Sequence, residues 1–93
     1  MFLAKVVGNV VSTQKHEKLI GNKLLIVKKL DEKENIIQTE PMVAIDTVGA
    51  GINEIVIVVT GSGARKASNT IDIPTDASIV GIVDSVEWNE SLI

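Results

Sequence analysis

Residues 55–60 read Ile-Val-Ile-Val-Val-Thr, six β-branched side chains in succession between Glu54 and Gly61. Two heavy atoms on each Cβ crowd the preceding turn of a helix but pack well on a pleated surface, so the run is a strand. It is apolar at every position from Ile55 to Val59, which predicts burial on both of its faces. The rest of the chain repeats the theme: 13 valines and 13 isoleucines among 93 residues favour extended backbone almost throughout. The expected fold class is all-β. A chain this short buries about 60–65% of its unfolded surface around one core, so a single domain over residues 1–93 is expected.

Four more strands lie between turn signals. Residues 2–12 alternate, with Leu3, Val7 and Val11 on one face and Val6 and Val10 on the other, and Gly8 marks a bulge or bend. A polar loop over 13–22 leads to a second strand over 23–30. The charge-dense Asp31–Asn35 stretch (DEKEN) then reads as a solvated hairpin turn. Pro41 fits the first position of a third strand over 42–48. The fourth is the run described above, and GSGARKAS (61–68) gives at most two helical turns with Ser62 as N-cap. Residues 78–88 form the fifth, with Val80, Ile82, Val86 and Trp88 sharing a face and Asp84 out of pattern. Five strands and one short helix predict a small closed barrel of the oligonucleotide/oligosaccharide-binding type.

Composition removes several functions. With no cysteine and one histidine, His16, there is neither a thiolate nor a histidine-rich metal site, and no metal or cofactor is expected. The longest apolar run is five residues, against about 20 for a spanning helix. The start, MFLAKVVGNVV, has no charged leader, so a soluble cytoplasmic chain without a membrane partner is expected. Nine basic residues against 12 acidic, and only Phe2 and Trp88 as aromatics, weigh against single-strand nucleic-acid binding, which remains the alternative use of such a barrel. Asp46 and Glu54 flank the glycine turn DTVGAG as paired carboxylates, but lack the histidine, cysteine or third acid that a catalytic set requires. Close backbone approach at Gly49 and Gly51, to a strand or to another subunit, is the plainer account. GSGAR after an apolar strand matches neither the dinucleotide fingerprint nor the P-loop, and reads as a tight turn. A mean hydropathy of +0.31 is high for so small a domain, so some apolar surface should meet another chain.

Four segments together are distinctive: AKVVGNVVSTQKHEKLIGNKLLIV (4–27), MVAIDTVGAG (42–51), IVIVVTGSGAR (55–65) and PTDASIVGIVDSVE (74–87). They resemble the bacterial microcompartment vertex protein family, the small pentameric shell proteins of carboxysomes and of catabolic compartments such as the ethanolamine-utilisation type. The resemblance covers nearly the whole chain in one order. It implies a five-stranded barrel assembled as a homopentamer that caps the corners of a polyhedral shell, alongside hexameric shell proteins and within the bacterial cytoplasm, and it implies no catalysis. The family's glycine turn falls on Asp46, Thr47, Val48, Gly49, Ala50 and Gly51. Its Gly-Ser-x-Ala-Arg turn falls on Gly61, Ser62, Ala64 and Arg65, and the Lys-His of its first loop on Lys15 and His16. Gly63 stands where the family more often has serine, a mild departure. Asp46 to Gly51, with Ser62 and Arg65, are therefore the candidate residues for the subunit interface or ring axis.

Overall fold

The computed structural model describes residues 1–12, 17, 21–61 and 76–92. Five strands, β1 (Phe2–Asn9), β2 (Lys23–Lys29), β3 (Met42–Asp46), β4 (Ile55–Thr60) and β5 (Ala77–Val83), close into a barrel in the order β1-β2-β3-β5-β4. Every seam is antiparallel except β3–β5, which is parallel and holds two residue pairs, Ile45 with Ser78 and Asp46 with Ile79. The helix expected over 61–68 lies, beyond Gly61, outside the described residues. After the last strand the 3-10 turn Glu90–Leu92 is exposed.

Alternation decides what points inward. Ala4, Val6, Leu25, Val27, Ala44, Ala50, Val56, Val58, Ala77 and Ile79 form the core, with Phe2 and Met42 packed against it. Four of the ten are alanine, as the narrow interior of a five-stranded barrel demands. Gly8 does mark an irregularity: the β1–β2 register shifts between Val6 and Gly8, and Val7 is pushed outward. Pro41 immediately precedes β3, and Asp31–Asn35 is a hairpin turn. In that turn the Asp31 carboxylate accepts from the backbone N–H groups of Lys33 (2.8 Å) and Asn35 (2.9 Å).

Three expectations need correction. The fourth strand is buried on one face only in the single chain: Val56 and Val58 are in the core, while Ile55, Ile57 and Val59 remain half-buried on the outside. The fifth strand ends at Val83, five residues early, and its inward residues are Ala77 and Ile79 rather than Val80 and Ile82. A register shift opposite Ile57 and Val58 breaks the alternation there, and Asp84 looked out of pattern because it is the first residue beyond the strand. The first and third strands are also shorter than expected. β1 stops at Asn9, and β3 at Asp46, where the turn takes over the backbone.

Candidate functional site

The turn after β3 lies where the barrel closes through its shortest seam. Asp46, the last residue of β3, turns its side chain inward, leaving it 2% exposed. Its Oδ1 accepts from the N–H groups of Val48 (3.0 Å) and Gly49 (3.1 Å), so the carboxylate caps the turn that follows it. Thr47 reaches across the seam. Its hydroxyl donates to the Ile79 carbonyl at 2.5 Å, and its N–H approaches the same oxygen at 3.3 Å. Gly49 has φ +82°, a conformation that costs any other L-residue about 1–2 kcal/mol, and a Cβ added there would meet nothing within 4 Å. Ala50 then drops fully into the core.

The far side of the turn is tied to β1. Glu54 Oε1 accepts from the Gly51 N–H at 2.6 Å, and the Glu54 N–H donates to the Gly51 carbonyl at 3.2 Å. Asn53, at φ +73°, donates its N–H to the Val6 carbonyl, and the Val6 N–H donates to the Glu54 carbonyl. Asp46 and Glu54 thus serve the same turn from opposite ends, each engaged by backbone N–H groups. They are not poised as a general acid and base. Among the described residues no three His, Asp or Glu side chains converge as metal ligands would.

Sequence reasoning missed the side chain that locks this turn. Lys23, first residue of β2, stands opposite Asp46 in the β2–β3 register. Its Nζ lies 3.7 Å from Asp46 Oδ2 and donates to the Ala50 carbonyl at 2.5 Å, joining both ends of the glycine turn. Nothing at the sequence level pairs residues 23 and 46 until the register is known. Between these ties the turn presents Val48 and Ile52 to solvent, 41% and 54% exposed.

Of the predicted site, Asp46, Thr47, Val48, Gly49, Ala50 and Gly51 form one hydrogen-bonded turn. Gly51 is not in the left-handed region, and a Cβ there would meet only the Glu54 carboxylate at 3.4 Å. Inside one subunit, then, the close-approach argument does not apply to Gly51, and at Gly49 it is replaced by backbone conformation. Ser62 and Arg65, with Lys15, His16 and Gly63, lie outside the described residues.

Comparison with known proteins places this barrel. Residues 1–84 match the family model described as ethanolamine utilisation protein EutN/carboxysome. The bacterial microcompartment shell vertex protein GrpN of Rhodospirillum rubrum is 53% identical over 87 residues, covering 94% of this chain and 97% of that one. The carboxysome shell vertex protein CcmL of Synechocystis sp. is 52% identical over 86 residues, covering 92% and 85%. A solved structure described as the GrpN pentameric microcompartment shell protein from Rhodospirillum rubrum superposes with a TM-score of 0.85 at 52% identity, over 96% of this chain and all of that one. These relatives lend no support to a nucleic-acid-binding use of the barrel. The chain belongs to the EutN/CcmL family of microcompartment shell vertex proteins.

Proposed function

We propose that the chain forms a homopentamer that caps the vertices of a polyhedral microcompartment shell in the bacterial cytoplasm, with all 93 residues serving as one vertex domain. The observation that carries this reading is the full-length match to a relative solved as a pentameric shell protein. The half-buried outer face of β4 supports it, because Ile55, Ile57 and Val59 gain from a neighbour what the single chain does not give them. Six-fold tiles alone make a flat sheet, and a closed polyhedron needs a five-fold tile at each corner, so hexameric shell proteins are the implied neighbours. The protein's contribution is shape. No chemistry is assigned to the chain, in keeping with carboxylates at Asp46 and Glu54 that are committed to the turn.

Native mass spectrometry tests the ring. Five 9.9-kDa chains give a species of roughly 50 kDa, and a monomer or dimer as the only species at micromolar concentration overturns the reading. Within it, Asp46 to Gly51 with Ser62 and Arg65 are proposed to lie at the subunit contact or ring axis. Arg65 is the chain's only arginine, and its planar fork can hold a carboxylate or carbonyl in a way lysine cannot. Arg65→Lys should lower the denaturation midpoint or ring mass while Lys66→Arg leaves both unchanged. Silence in both strikes Arg65 from the site.

A further inference from the structure

Beyond Val83 the chain leaves the sheet, and its last described residues meet the β2–β3 hairpin through one side chain. Lys33 Nζ sits 5.3 Å from the centroid of the Trp88 ring and 3.8 Å from Glu90 Oε1. Both sides of this contact are prepared locally. In the hairpin, the Asp31 carboxylate holds the N–H groups of Lys33 and Asn35, so the backbone beneath Lys33 is fixed without help from its side chain. In the tail, Asn89 Oδ1 accepts from the Ser91 N–H at 3.0 Å and from its hydroxyl at 2.7 Å, shaping the turn that carries Glu90. Among the described residues no other hydrogen bond or ion pair joins residues 85–92 to the barrel.

The charges around Lys33 turn this contact into a switch. The hairpin 31–40 holds Asp31, Glu32, Glu34 and Glu40 with Lys33 as its only base, and the tail 84–92 holds Asp84, Glu87 and Glu90 with none. Without that ammonium the two segments, at −4 and −3, are held against each other with nothing to offset their repulsion. We infer that residues 84–92 are a strap kept shut by the charge of Lys33, and that neutralising this one ammonium releases it. An exposed cation–π contact and an exposed ion pair each bias an equilibrium by no more than about fivefold, so the strap is held lightly. Closed, it keeps Val86 and Trp88 half-buried. Open, it gives both to solvent at a hairpin that already exposes Ile36 and Ile37, so one lysine withholds or presents an apolar surface at that end of the barrel. The inference does not depend on the pentameric reading, since every contact it uses lies within one chain.

Trp88 is the chain's only tryptophan and there is no tyrosine, so its emission reports the strap directly. Lys33→Gln should move that emission to longer wavelength and raise its quenching by acrylamide. It should also speed cleavage after Glu87 by a glutamyl endopeptidase about fivefold or more. Lys33→Arg keeps the charge and stacks on an indole at least as well, so it should behave as the wild type. Glu90→Gln should open the strap less than Lys33→Gln does, because the ring retains its cation. In Lys33→Gln, raising salt from about 0.05 M to about 0.5 M should partly reclose the strap, since screening removes the repulsion that opened it. Far-UV circular dichroism should be unchanged throughout. Emission, quenching and cleavage that match the wild type in Lys33→Gln overturn the inference, as does a Lys33→Arg chain that opens equally. Loss of the barrel's own signal in Lys33→Gln overturns it too, because Lys33 would then be holding the fold and not a strap.

Discussion

Lys23 holds two acceptors that belong to opposite ends of one turn, so its removal is felt at both. Lys23→Met keeps the apolar stem but drops the bond to the Ala50 carbonyl and leaves the buried Asp46 carboxylate without its cation. The expected loss is about 1–3 kcal/mol in urea denaturation, and a loss below measurement would mean the clamp is a surface contact. Gly49 and Gly51 separate two causes that their shared motif conceals. Gly49→Ala should destabilise by about 1–2 kcal/mol through backbone conformation alone, since space is open around it. Gly51→Ala should be nearly neutral in the subunit, so a fall in ring mass for Gly51→Val would report a second copy approaching there. At the opposite end of the barrel Asp31 is a titratable reporter of its own turn. The backbone N–H of Asn35, followed by that of Lys33, holds its carboxyl below the ordinary aspartate range. Because the folded value is the lower one, the turn's contribution is complete above the unfolded value and fades as pH falls through the folded one. An NMR titration that places the Asp31 midpoint at or above the ordinary value would show the turn open.

At the scale of elements, the seam between β3 and β5 is the place to expect the barrel to open. It carries two residue pairs, against four to six at the other seams, and Thr47 adds a side-chain bond to it. Thr47→Val keeps the shape and removes the hydroxyl, which should cost about 0.5–1.5 kcal/mol and speed amide exchange in Ile79 and its neighbours before that in β1. Uniform exchange across the sheet would show that the seam is no weaker than the rest. The same seam explains how far the sequence could be read. Strands bounded by glycine, proline or charge, such as β2 and β4, were legible to within a residue, because the local chemistry that ends them is written beside them. β3 and β5 were drawn too long, because what ends them is long-range: Asp46 capturing its own turn, and a register shift against β4. Lys23 was invisible for the same reason. A contact 23 residues away in sequence becomes readable only when two strands have found their register. The outer residues of β4 are the converse case, since the sequence asked for burial on both faces and a single chain supplies only one.

On the scale of the whole molecule, that unmet demand links stability to assembly. A protomer whose half-buried outer β4 residues Ile55, Ile57 and Val59 are covered only in a ring should not have a melting temperature independent of concentration. For five chains unfolding from one ring, a tenfold rise in concentration favours the folded state by about 1 kcal/mol per chain, four-fifths of the usual tenfold increment, since four translational freedoms are lost for every five chains. In a domain of this size that corresponds to about 4–8 °C in Tm. The shift should vanish in a variant that remains folded but does not assemble. Val58→Ala, a change inside the barrel core, should instead lower Tm at every concentration while leaving the slope with concentration intact. If the wild-type Tm does not move between micromolar and tens of micromolar chains, the ring contributes nothing to keeping the barrel folded. The half-buried isoleucines of β4 would then have no part in assembly.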